Sequence, residues 1–230
     1  VVRWAFSALL WLVWAGLFGG PASASPANEV FASVFGRPGV DLTMKSGYTG
    51  SLDGAGLFAS GPKFRAAWDS GTWWDPRVNP RIYQVRSEAI ETSVGWRHAF
   101  DGFAVQVMAG VTTRFETPLR NPPRLGALVE VDLLWWRQNN AYIALHMRGA
   151  ELGTVASLSL SSGWPVLEGL KLGPQGGVGL GRDGRVDVRA GGVATLVNFF
   201  GVELSLSAGW SRSSFGRSGY YLASYAVRRF

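Results

Sequence analysis

Gly201–Arg212 alternates without a break. Val202, Leu204, Leu206, Ala208 and Trp210 share one face, and Glu203, Ser205, Ser207, Gly209 and Ser211 share the other. Successive side chains of a β-strand point to opposite sides, so this is a strand with one oily and one wet face. The same period runs through Phe103–Thr112, Gly126–Trp136 and Ile143–Arg148. No apolar stripe of helical period fits these segments, and their Gly and Ser content opposes a helix.

Cutting at turn signals gives about twelve strands, near 29–36, 40–49, 56–68, 83–97, 103–114, 125–138, 141–151, 154–164, 170–180, 187–198, 201–212 and 220–230. An even number of strands, each near 11 residues, suits tilted strands that cross a bilayer. The expected fold is therefore all-β: a closed antiparallel transmembrane β-barrel of about 12 strands, following an N-terminal signal peptide. With both termini periplasmic, the inner turns are short: His98–Gly102, Asn139-Asn140, Pro165–Gly169 and Phe199-Phe200. The outer set holds the two longest loops, Asp69–Ile82 and Glu116–Arg124. Short inside and long outside is the asymmetry of outer-membrane barrels. Trp96, Trp135, Trp136, Trp164 and Trp210 fall at strand ends, as an interfacial aromatic girdle requires.

The first residues read differently. Arg3 is the only charge before Glu29; an apolar run from Trp4 to Phe18 leads to Gly19-Gly20-Pro21 and then Ala22-Ser23-Ala24. A basic start, a short apolar stretch and a small-x-small site form a secretory signal. The run is about 15 residues, short of the roughly 20 that a spanning helix needs. Residues 1–24 are expected to be a cleaved signal peptide and 25–230 an outer-membrane barrel domain.

Composition narrows the function. Charged residues make up 17%, with 31 Gly and 11 Trp, and no apolar run after residue 24 is long enough for a spanning helix. Lipid tolerates only helices and closed barrels, because every backbone group must pair internally. The net charge of +6 is scattered, so anionic lipopolysaccharide is a more natural counterpart than nucleic acid. No Cys is present, which removes disulfides and a lipidated Cys.

Candidate chemistry is sparse. His98 falls in an expected periplasmic turn and His146 on an expected lumen face beside Arg148. A hydrolase would need a His placed to take the proton of a Ser, together with an oxyanion-binding group. His146 with Ser157 or Ser159 is the one such pairing on paper. No catalytic set, metal site or cofactor site is expected: the two His lack ligand spacing, and the glycines of 173–181 lack the Lys-Ser or Lys-Thr of a phosphate loop. Ten charged or polar side chains fall on expected lumen faces: Glu91, Arg97, Arg114, Glu130, Asp132, His146, Arg148, Asp187, Arg189 and Glu203. Both signs are present, so the lumen can close into a salt-bridged scaffold or leave a narrow polar pore. Trp73 and Trp74, in the longest outer loop, are candidates for glycan contact through stacking on sugar faces, or for anchoring at the lipid interface.

Three pieces of the second half, Leu172–Gly181, Val186–Gly192 and Leu204–Arg212, resemble the C-terminal strands of the cellulose biosynthesis protein BcsS family. Val94–Arg97 with Val107–Val111 resembles its middle strands. The chain departs from the family pattern at Gln175, where an acidic residue is usual, and at Arg182, where an Asn is usual. The resemblance implies an outer-membrane protein linked to cellulose production and carries over no catalytic residue. The expected function is a non-enzymatic barrel that supports cellulose or exopolysaccharide biosynthesis or export at the cell surface. The alternatives are a narrow diffusion channel for small polar solutes and an outer-membrane lipid hydrolase. Expected partners are outer-membrane lipid and lipopolysaccharide, the barrel assembly machinery that reads a terminal residue such as Phe230, and cellulose or its export components.

Overall fold

A computed structural model describes residues 27–37, 41–74, 84–117, 122–137, 141–152, 154–182, 184–199, 202–214 and 218–230. The expected signal peptide lies outside the described residues. Twelve strands follow one another: β1 Asn28–Arg37, β2 Asp41–Ser51, β3 Gly61–Trp74, β4 Gln84–Phe100, β5 Phe103–Thr117 and β6 Arg124–Trp136 form the first half. The second half is β7 Tyr142–Ala150, β8 Thr154–Leu167, β9 Leu170–Gly181, β10 Val186–Phe199, β11 Val202–Ser213 and β12 Ser218–Arg229. Each strand pairs with its chain neighbour, and β1 pairs antiparallel with β12 from Glu29↔Arg229 to Gly36↔Leu222, which closes the barrel. Backbone bonds between Asn28 and Phe230 seal the seam in both directions. Closure leaves no sheet edge with unpaired N–H and C=O groups, the condition for strands to lie in hydrocarbon.

The faces are inverted relative to a water-soluble protein. Ile90, Val94, Val129, Leu160, Leu206 and Leu222 are exposed, whereas Lys63, Glu91 and Glu130 are buried. An apolar belt of this extent suits lipid and not water. Aromatic residues edge the belt. Trp96, Trp135 and Trp164 are exposed toward the end that carries Asn28 and Phe230, hereafter the terminal end. Trp210 packs edge-on against Tyr220, 5.0 Å between ring centres, toward the opposite end. Indole rings of this kind settle where hydrocarbon meets headgroups. Leu160 lies near the middle of β8 and faces out. Leu160→Arg is expected to destabilise the barrel in lipid vesicles by about 2–4 kcal/mol, read from urea unfolding. Ser161→Ala, on the inner face of the same strand, should leave the midpoint almost unmoved.

Two local expectations are corrected. β3 starts and ends later than expected: it runs to Trp74, because Trp73 and Trp74 pair with Val85 and Gln84 of β4. These two Trp therefore end a strand and are not part of the loop that follows; their side chains lie outside the described residues. His98 sits in β4, which continues to Phe100 because Ala99 and Phe100 pair with Ala104 and Phe103. Only Asp101 and Gly102 make the turn, with Gly102 at φ 71°. The exposed His98 ring lies 4.4 Å from that of Phe100.

The connection over residues 52–60 is the elaborate one at the terminal end. Its Leu57 is 5% exposed, and Lys63 donates to the carbonyl oxygen of Gly56 at 2.9 Å. Arg97 and Arg229 flank the Phe58 ring at 5.7 and 5.2 Å. Asp53 shapes the turn by accepting from the Ser51 hydroxyl and from the Ala55 N–H, and these two bonds hold its carboxyl below the usual range. The apolar run Leu57-Phe58 is therefore tucked against the barrel mouth and does not begin β3.

Candidate functional site inside the barrel

Ion pairs that skip strands define the interior. Lys45 on β2 reaches Glu91 on β4 at 2.7 Å and Glu130 on β6 at 3.9 Å. Arg65 on β3 reaches Glu130 at 2.8 Å and Asp132 at 3.7 Å. Arg148 on β7 donates to the second oxygen of Glu91. Such partners are separated by intervening strands, so they meet only across the inside of the barrel. Glu91 and Glu130 are 5% and 2% exposed, and each is held by two cations, the condition for leaving a charge out of water. Beneath them β5 contributes the buried side chains of Gln106, Met108 and Thr112.

His146 on β7 extends this network. Its Nδ1 lies 2.6 Å from Asp132 on β6, and the two residues face each other in register. In the neutral ring the carboxylate selects the tautomer with the proton on Nδ1, which leaves the lone pair on Nε2.

The two ends carry smaller groups. At the terminal end Arg229 pairs with Glu203 at 3.0 Å and Glu29 at 3.4 Å. At the other end Arg37 of β1 bonds Asp41 and approaches Asp187 of β10 at 3.7 Å, while Arg114 and Glu116 pair at 3.4 Å. The wall between β12 and β2 is filled by rings: Phe31 stacks near Tyr225 at 6.4 Å, and Phe35 on Tyr221 at 5.6 Å. Arg189 of β10 lies over the Phe35 ring at 5.6 Å.

The structure thus gathers Glu91, Glu130, Asp132, His146 and Arg148 into one network. It separates Arg97 and Glu203 to the terminal end and Arg114 and Asp187 to the other, and leaves Arg189 between. Among the described residues no group of three or more His, Cys, Asp or Glu is placed to hold a metal ion. Sequence reading did not single out Lys45, Arg65, Arg37 or Arg229. For the first two a signal existed: Phe64, Ala66 and Trp68 alternate with Lys63, Arg65, Ala67 and Asp69, and Leu42 and Met44 with Thr43 and Lys45.

The family profile of cellulose biosynthesis protein BcsS matches residues 47–230. The chain belongs to the BcsS family. No match to a curated protein sequence is found. Among solved structures the KdgM porin in complex with disordered oligogalacturonate is similar at a TM-score of 0.53 and 9% identity, over 88% of this chain and 99% of that one. LpxR from Salmonella typhimurium is similar at 0.52 and 13% identity, over 88% and 100% of the two chains. The beta domain of the Bordetella autotransporter BrkA is similar at 0.51 and 10%, over 91% and 100%. At such identities the likeness is one of fold: this BcsS-family chain is built as outer-membrane barrels are.

Proposed function

We propose that this BcsS-family barrel resides in the outer membrane and supports the biosynthesis or export of cellulose, or a related exopolysaccharide, at the cell surface. The observation that carries the reading is a family match spanning most of a chain whose outer face is apolar and closed. Export through a cleaved signal and insertion by the barrel assembly machinery bring it there, with the long β3–β4 connection toward lipopolysaccharide. Trp73 and Trp74, which end β3 next to that connection, are the residues we propose for stacking on a glucan chain.

The test is made in a cellulose-producing Gram-negative host that lacks its own copy. The folded chain should fractionate with the outer membrane and migrate faster on a gel before boiling than after. Its supply should restore dye-binding surface cellulose, and a Trp73→Ala, Trp74→Ala double variant should restore less. Equal surface cellulose with and without the chain would overturn the role. A chain recovered from the periplasm without detergent would overturn the location. A second reading, a narrow diffusion channel, draws on the short inner side chains Ser159, Ser161, Ser205 and Ser207 of β8 and β11. Steady conductance of the unmodified barrel in a planar bilayer would favour it, and silence would favour the scaffold.

A further inference from the structure

One row of residues runs across five neighbouring strands of the inner wall. Asp132 of β6 faces His146 of β7, His146 faces Ser159 of β8, Ser159 faces Gly177 of β9, and Gly177 faces Arg189 of β10. Opposed residues in antiparallel strands lie about 4.5–5.5 Å apart at Cα, so neighbouring members of the row stand side by side on the inner wall. The row reads carboxylate, imidazole, hydroxyl, gap, guanidinium.

We propose that this row is an ester-cleaving site, with Ser159 as nucleophile, His146 as base, Asp132 as its orienting carboxylate and Arg189 as the oxyanion-stabilising cation. Its substrate class is short-chain carboxylic esters of polyhydroxy alcohols, the acetyl-sized O-acyl groups of sugars among them. Only the mention of sugars leans on the proposed function; the chemistry stands on the row itself.

Four observations converge. Asp132 holds Nδ1 of His146 at 2.6 Å, and Arg65 stands 3.7 Å from its other oxygen, so the base is itself oriented. Among the described residues the Ser159 hydroxyl makes no side-chain hydrogen bond, which leaves it free to turn to Nε2; such bonds often tighten only when substrate binds. Gly177 lets the two side chains approach: a Cβ there would stand 2.9 Å from the Leu158 carbonyl oxygen, 3.1 Å from Nε of Arg189 and 3.4 Å from Cβ of Ser159, so Arg189 and Ser159 both close on this glycine. Arg189 also has no carboxylate at salt-bridge distance among the described residues, whereas Arg65 and Arg148 are occupied by Glu130 and Glu91. An uncompensated cation beside a nucleophile is what a developing oxyanion requires.

The adjacent row supplies an internal comparison. Glu130, Arg148, Ser157, Gly179 and Asp187 repeat the register, but Arg148 replaces the imidazole, so Ser157 has no base. The wall beyond Ser159 presents Ser161 and Gln175, short and polar, which suits a hydroxylated alcohol and disfavours a long acyl chain.

The steps balance without a cofactor. Ser159 Oγ bonds to the ester carbonyl carbon as its proton passes to His146 Nε2, and the oxygen anion faces Arg189. Collapse breaks the ester C–O bond, and the alcohol leaves with the proton from Nε2. Water, losing its proton to Nε2, then cleaves the acyl-serine, releasing the carboxylic acid and restoring the hydroxyl.

The test uses the full barrel, purified in detergent and verified as folded by its heat-shifted band. A fluorophosphonate probe should label the wild type at Ser159, and p-nitrophenyl acetate should be hydrolysed. Ser159→Ala should lose the label and fall to the uncatalysed rate, while Ser157→Ala keeps both. Arg189→Met should lower kcat by about 100-fold, the usual cost of one oxyanion donor, with a smaller change in KM. An unlabelled folded wild type, or labelling and turnover that survive Ser159→Ala, would overturn the site. Faster hydrolysis of p-nitrophenyl palmitate than of the acetate would overturn the substrate class. Because the assay needs no glucan, its result is independent of whether the chain restores surface cellulose.

Discussion

Glu91→Ala should lower the unfolding free energy of the barrel by about 3–5 kcal/mol, the cost of removing one partner from a buried ion cluster. The carboxylate is 5% exposed and joins Lys45 of β2 to Arg148 of β7, one cation on each oxygen. Its loss leaves two cations facing each other across the lumen, with Glu130 at 3.9 Å from Lys45 and Asp69, which faces Lys45 in register, as partial compensation. Repulsion and lost hydrogen bonds then act together, and neither cation can turn to lipid. Urea titration of the refolded protein in lipid vesicles measures the change. Arg86→Ala is the contrast: its partner Glu88 and Arg86 itself are both well exposed, so that pair should contribute about 0–1 kcal/mol. The same Glu91→Ala protein should pass ions in a planar bilayer where the unmodified barrel is silent, because the cross-link between β2, β4 and β7 is gone. A loss of stability below about 1 kcal/mol would mean that lumen water solvates the cluster as it does a surface pair.

Side-chain parity was legible where the chain alternates strongly. Glu130 and Asp132 stand out because Val129, Val131 and Leu133 separate them with apolar residues. Parity assigns a residue to a face but not to a partner. That Lys45 meets Glu91, or that Arg65 meets Glu130 over the intervening β4 and β5, depends on how far the sheet curls, which no local pattern encodes. Register is similarly hidden. A slip of one residue between β7 and β8 would set His146 against an outward Leu, and nothing in either strand alone fixes the match to Ser159. The connection over residues 52–60 misled for another reason. Leu57 and Phe58 have the composition of a strand start, but they are apolar because they pack at the barrel mouth, Phe58 between two guanidinium groups. The ends of β3 and β4 were misplaced because an aromatic or turn-forming composition near Trp73 and His98 resembles a loop, while the ladder with the neighbouring strand carries both segments further.

Gly95→Val should abolish the folded, heat-shifted form altogether. A Cβ at position 95 would stand 1.9 Å from the carbonyl oxygen of Val107, 2.7 Å from Cα of Met108 and 2.8 Å from its sulfur. The first two atoms are backbone of the adjacent strand β5, so no side-chain rotation relieves the clash; the two strands would have to part. Gly110 repeats the relation from the other side, with the Thr92 carbonyl 2.0 Å from where its Cβ would be. Both glycines fall on the inner face, opposite Met108 and Ser93 respectively. On the concave side of a curled sheet, neighbouring backbones close up, and glycine permits that approach. A Cβ at either site therefore opposes the curvature that closes the barrel, and the penalty falls on assembly as a whole and not on one contact. Gly71→Ala is the control: it is also buried and inward, yet its nearest neighbour would be the Thr43 hydroxyl at 3.6 Å, an ordinary contact. It should assemble with the unmodified heat shift. If Gly95→Val also assembled, the close approach of β4 and β5 would not be needed for closure.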